Sequence, residues 1–144
     1  MKTIVKKFAV VVVILGLLFL VIRGDFLSPS PFVIGGQLLA LAILVSARVA
    51  FGRQDFRIGA DPGSGQLISD GPYRFIRHPM YAGALLLIWA SIAGHWSLVN
   101  AVDGVIVSAV ALYRVVLEEE ALKEHYSDYA EYSLHTRRLI PFLF

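Results

Sequence analysis

Hydrophobic and polar positions fall in long blocks along this chain rather than in short alternations. Four apolar runs stand out, Phe8–Ile22 (within a helix from about Ile4), Phe32–Phe51, Met80–Ala93 and Ser97–Leu117. A helix needs about 20 apolar residues to cross a hydrocarbon layer, so the pattern predicts about four transmembrane helices. The last two runs are joined only by Gly94, His95 and Trp96, which predicts an antiparallel helical hairpin with its tip at a membrane interface. Beyond Leu117 the chain is charged and aromatic. Ala121, Leu122, His125 and Tyr129 recur there at helical spacing, which predicts an amphipathic tail helix running on out of the membrane. The fold class is therefore all-α and integral to a membrane. A pair of helices occupies 1–51, and a loop, hairpin and tail occupy 52–144, within one domain by length.

The only long polar segment before the tail is Gly52 to His78. Its glycines and prolines, including Gly59, Pro62, Gly71 and Pro72, break any single helix. Gln66-Leu67-Ile68, the Asp70-Gly71 turn and Tyr73–Ile76 fit a short β-hairpin. Arg48 reads as a snorkelling side chain. Asp103, about 9 Å into the fourth helix, is within reach of the interface or makes a polar contact inside the bundle.

Composition agrees with the pattern. The 144 residues are 57% hydrophobic and 17% charged, with mean hydropathy +0.68, far from a soluble globular domain. Absence of cysteine excludes disulfides and thiolate chemistry. Lys2, Lys6 and Lys7 before the first run also suit a secretory signal, but the run ends in Arg23-Gly24-Asp25 rather than at small residues. The net charge of +2 is scattered, with no nucleic-acid footprint. Of the 13 basic residues only Arg23 falls on the side of the first loop and the hairpin tip, while Arg48 lies within a helix. This asymmetry assigns both termini and the middle loop to the cytoplasmic face, most simply of a cell's inner membrane.

The richest chemistry lies in Gly71–Gly83, GPYRFIRHPMYAG. His78 precedes a proline and is pushed out of the helical region, while Pro79 suits the first helical position. The helix start favours an anionic group, and Gly83, four residues on, leaves room for a close approach to the backbone. The stretch reads either as a cradle for a small charged ligand or as a linker anchored at lipid headgroups by Arg and Tyr.

Hairpin geometry adds a second motif. Met80–Ala93 makes a helix about 21 Å long and Ser97–Leu117 one about 31 Å, so Pro79 lies about 10 Å deeper than Leu117. Three extended residues at about 3.3 Å each make up that difference. Glu118 and Glu119 should then stand level with Ile76–His78, facing Arg74, Arg77 and His78 across a sunken notch that opens sideways to lipid. By itself Glu118-Glu119-Glu120 also reads as a solvated helix end supported by Arg114 and Lys123. At 100° per residue, at most two of the three address the notch. Zinc lacks ligand spacing, no phosphate loop or nucleotide fingerprint is present, and His78 has no convincing serine partner. A site of opposite charges suits a zwitterionic or cationic ligand.

Taken together, these residues resemble the isoprenylcysteine carboxyl methyltransferase and phospholipid methyltransferase superfamily. The matching positions are Arg77, His78, Pro79, Tyr81 and Gly83; Glu118 and Glu119; Tyr129 and Tyr132; and Arg138 and Pro141. Tyr126-Ser127 stands where many relatives have Phe-Gly. The resemblance implies methyl transfer from S-adenosylmethionine to a membrane-embedded or prenylated acceptor, at a lipid-linked carboxylate or a headgroup amine, with no metal. It implies that His78, Pro79, Tyr81 and Gly83 shape the cofactor pocket. Glu118 and Glu119 would hold its ammonium or ribose, and Arg77 or Arg138 its carboxylate. No residue stands out as a general base. Membrane sterol reductases, which take NADPH, resemble the same region, and a small scaffold with a degenerate pocket is the non-enzymatic alternative.

Overall fold

In the computed structural model, residues 2–52 and 67–141 are described, with side chains from Phe8 onward in the first helix. These residues form five helices and no strand: α1 (Lys2–Ile22), α2 (Pro31–Phe51), α3 (Pro79–Gly94), α4 (Leu98–His125) and α5 (Tyr129–His135). A 3₁₀ turn at Gly71–Arg74 precedes α3.

Sequence chemistry explains the boundaries. Pro31 and Pro79 both stand at first helical positions, where proline costs no hydrogen bond. Ser97 caps α4, its Oγ accepting from the Asn100 N–H at 3.1 Å. In length and apolarity α2 and α4 are candidate membrane spans, while Phe8–Ile22 and Pro79–Gly94 are shorter apolar helices. At 28 residues α4 is about 42 Å long, against a hydrocarbon core of about 30 Å, so its polar end after Leu117 projects beyond the apolar part.

The hairpin expected from the two late apolar runs is present, and α3 is its central member. Helix α2 packs along one side of α3, whereas α4 and α1 pack on the other. Leu20, Ile88, Ile92 and Val107 form the core, with Leu17, Phe26 and Trp89 against them. Outward-facing residues are large and apolar: Phe32 is 90% exposed and Leu98 80%. Such a surface fits lipid rather than water. Asp103 is half-buried and faces α1, its carboxylate 3.3 Å from where a side chain on Gly16 would begin. It is an interior position of the bundle.

Two expectations need correction. Tyr73 and Arg74 belong to the 3₁₀ turn and not to a β-hairpin. Gly71 takes φ +58° and Tyr73 N–H bonds back to Asp70, so the chain coils there, while Ile76 makes its one bridge with Arg137 of the tail. The other arm of the expected hairpin begins at Gln66, outside the described residues, as do Arg53 and Arg57. The tail is not one continuous helix. Helix α4 ends at His125, and Tyr126, in an extended conformation, turns the chain into α5. Arg48 keeps its head group at the end of α2, its Nη1 donating to the Gly52 carbonyl at 2.8 Å.

Candidate functional site

The site forms because the segment before α3 and the tail lie side by side. Arg77 N–H donates to the Arg137 carbonyl at 2.6 Å and His78 N–H to the Arg138 carbonyl at 3.0 Å. Arg137 N–H returns a bond to Phe75 at 3.0 Å, and the Tyr132 hydroxyl donates to the Tyr73 carbonyl at 2.7 Å. The tail is thereby strapped across the entrance to α3. The pre-proline restriction on His78 keeps its N–H out of the helix and available for this pairing.

Under the strap lie the two acids of α4. Glu119 is 3% exposed and is straddled by two arginines: Arg77 Nε donates to its Oε1 at 2.8 Å and Arg138 Nε to its Oε2 at 3.0 Å. The other end of Arg77 is anchored too, its Nη1 donating to the carbonyls of Ser133 (2.9 Å) and Thr136 (2.7 Å). On Glu118, Oε1 accepts from the Tyr81 hydroxyl and from Arg114 Nε, both at 2.8 Å. His78 is buried between the carboxylates, with Nδ1 3.6 Å from Glu118 and Nε2 3.7 Å from Glu119. These are ion-pair separations, longer than hydrogen bonds.

The electrostatics follow from this packing. Burial opposes a charge on His78, but the two carboxylates outweigh it and raise its pKa above the ordinary imidazole value. Burial likewise opposes the charged carboxylates. His78 and the arginines overcome it, lowering Glu118 and holding Glu119 down at about 2. Burial drives the Tyr129 phenol upward, so it stays protonated. With neutral His78, the three arginines exceed the two glutamates by one positive charge. The cluster therefore favours an incoming anionic group.

Two buried polar atoms in this region have no hydrogen-bond partner, His78 Nε2 and the Tyr129 hydroxyl. Such atoms are expensive to leave unpaired in a folded protein. They meet the requirement of a polar ligand, and the mix of guanidinium, carboxylate, imidazole and phenol suits a zwitterionic one.

The structure brings together Arg77, His78, Glu118 and Glu119, as the hairpin lengths implied, and adds Tyr81 and Arg138, which the resemblance had named. Glu120 is exposed, so the juxtaposed acids are Glu118 and Glu119. Pro79 opens α3 beneath them. Arg74, expected to face the acids, is instead exposed and lies over the Phe75 ring at 5.1 Å. Gly83 faces α2: a Cβ there would sit 2.8 Å from Leu44 Cγ and 3.1 Å from the Ala40 carbonyl. Its near neighbour is a helix. Arg114, 4% exposed, was read from sequence as part of a solvated helix end. Its spacing four residues before Glu118 was the available signal. Tyr129 was noticed as part of a motif but not placed in the site.

Comparison with known proteins adds a family. The family model described as phospholipid methyltransferase matches residues 31–129, about two thirds of the chain. The chain belongs to the phospholipid methyltransferase family. It falls in the integral membrane group that also holds the isoprenylcysteine methyltransferases. No curated protein and no solved structure matched it. The match opens at the first residue of α2, well before the motif at Gly71, and closes at the first residue of α5. Residues of this phospholipid methyltransferase from His78 to Glu119 lie inside the match, whereas Arg138 and Pro141 lie beyond it.

Proposed function

We propose that this membrane methyltransferase uses S-adenosylmethionine and acts on a lipid-linked acceptor, a carboxylate or a headgroup amine. The observation that carries this reading is the buried meeting of Glu118 and Glu119 with His78, Tyr81 and three arginines. S-adenosylmethionine, when bound, supplies a methyl group on a sulfonium. The protein's part is to bind, orient and keep water out. Arg138, its side chain 37% exposed at the edge of the cluster, pairs with the cofactor's carboxylate. Arg77 is committed to Glu119 and the tail carbonyls and holds the strap in place. Glu118 and Glu119 receive the ammonium or the ribose hydroxyls, and His78 Nε2 and the Tyr129 hydroxyl gain partners. Pro79, Tyr81 and Gly83 shape the pocket, Gly83 by letting α2 close against α3. Methyl displacement at a sulfonium depends on alignment in a dry site more than on a proton shuttle, and no general base is assigned.

This reading includes four membrane-crossing helices, α1 to α4, with both termini and the site on the cytoplasmic face. The pair 1–51 serves as a membrane platform and 52–144 carries the cofactor region. The test is calorimetric titration of detergent-purified protein with S-adenosylmethionine and with NADPH. Wild type should bind the first and not the second, and Glu118→Gln with Glu119→Gln should weaken binding about 100-fold through two lost charge-assisted contacts. Unchanged affinity in a variant with native circular dichroism would remove the glutamates from the site. Binding of NADPH alone would favour a reductase, and binding of neither a scaffold. Methyl transfer to a lipid extract, read by mass spectrometry, then names the acceptor.

A further inference from the structure

On the outer side of the strap lies a second cleft, away from Glu118 and Glu119. Arg74, Phe75, Leu134, His135, Arg137 and Pro141 line it, and it encloses about 140 Å³. Its polar side chains are two guanidiniums and an imidazole, and no acid is among them. Its apolar walls are exposed, Phe75 by 54% and Leu134 by 75%, with neighbouring Ile140 at 52%. The backbone beneath is fixed, because Phe75, Arg77 and Arg137 exchange the hydrogen bonds that hold the strap.

We propose that this cleft binds the phosphate of an anionic phospholipid headgroup, a site separate from methyl transfer. Guanidinium forks match phosphate oxygens in pairs, and two arginines with an imidazole and no opposing carboxylate leave the cleft complementary to an anion. The volume suits a phosphate ester, equivalent to four or five waters at about 30 Å³ each. The apolar rim selects a membrane source over a soluble one. Phe75 stands four residues before α3, which enters the apolar bundle, so its ring and Leu134 can meet the first acyl carbons while the cations hold the headgroup. A lipid seated there braces the segments that close over Glu119.

Native mass spectrometry of the full chain in detergent tests this by titration with phosphatidylglycerol, diacylglycerol and sn-glycerol 3-phosphate. Phosphatidylglycerol should bind and diacylglycerol should not. Each exposed arginine removed should weaken phosphatidylglycerol about fivefold, so Arg74→Gln with Arg137→Gln should lose about 25-fold, and Arg74→Lys with Arg137→Lys should recover part of it. Equal phosphatidylglycerol binding by the double Gln variant would overturn the proposal. So would diacylglycerol matching phosphatidylglycerol, or sn-glycerol 3-phosphate displacing it at equal concentration. Titrating the same variants with S-adenosylmethionine keeps the two readings apart. Lipid loss with cofactor retained supports this cleft, whereas a protein that binds lipid and no cofactor fails only the methyl-transfer reading.

Discussion

The bundle carries a polar network at each end of its central hairpin, and the two are built differently. At the tip, Asp25 accepts from Arg23 (3.0 Å) and from Asn100 (2.9 Å), Asn100 also reaches the His95 carbonyl, and His95 Nε2 meets the Leu27 carbonyl at 2.7 Å. Gln37 donates to the Phe26 carbonyl at 2.6 Å and to Ser91 at 2.9 Å. Three of these six bonds end on backbone carbonyls outside the helices, those of Phe26, Leu27 and His95. Among the described residues, Asn100 Oδ1 is the one buried tip atom left without a partner, whereas at the other end arginines and glutamates are massed with a net positive charge, and His78 Nε2 and the Tyr129 hydroxyl are left over. A network that sews loops together needs no surplus charge. The surplus positive charge at the other end makes it complementary to an anionic group, which the tip is not.

The largest expected effect breaks the charged end. Removing one partner of a buried ion pair strands the other, at a cost of about 3–5 kcal/mol. Arg77→Ala takes one of two arginines from Glu119, which keeps Arg138 at 3.0 Å, so that range is an upper bound for this pair, and it also frees the Ser133 and Thr136 carbonyls. It should lower the melting temperature in detergent sharply and expose Tyr129–His135 to protease. A tail that stays protected would mean that the backbone bonds of Arg137 and Arg138 hold the strap alone.

The next effect separates the ends by pH. His78 has a raised pKa because Glu118 and Glu119 of α4 flank it, with the Tyr81 ring 6.0 Å away. Its contribution to stability is fully present below the unfolded value of 6.5 and is lost as pH rises through the higher folded value. Wild-type melting temperature should therefore fall on the alkaline side of 6.5, and His78→Asn should flatten that fall. An identical slope in the variant would assign the effect elsewhere.

The sequence revealed levels better than directions. Rise per residue is nearly constant, so comparing Met80–Ala93 with Ser97–Leu117 was enough to bring Glu118 and Glu119 beside His78. Where each side chain points depends on which helix packs where, and hydropathy does not contain that order. Gly83 looked like room for a ligand until α2 proved to fill it, and Arg74 looked like a member of the notch until the 3₁₀ turn carried it outward. The break at Tyr126 was hidden for a related reason. Tyr129 keeps the helical register of Leu122 and His125, yet its burial is decided by the strap folding back on residues 73–78, a contact between segments distant in sequence.

The smallest effect belongs to the tip. Gln37→Leu keeps an apolar volume between α2 and α3 while removing the donor to Phe26 and Ser91. Ser91 retains its bond to the Leu87 carbonyl, so only the Phe26 carbonyl loses its side-chain donor. Hydrogen bonds between helices in a membrane are worth about 0.6 kcal/mol on average, and a loss of about 1 kcal/mol is expected, with S-adenosylmethionine affinity unchanged. Melting and titration of the same preparation check both halves. If affinity falls in step with stability, the tip is coupled through α3 to the charged end, and the two networks are one device rather than two.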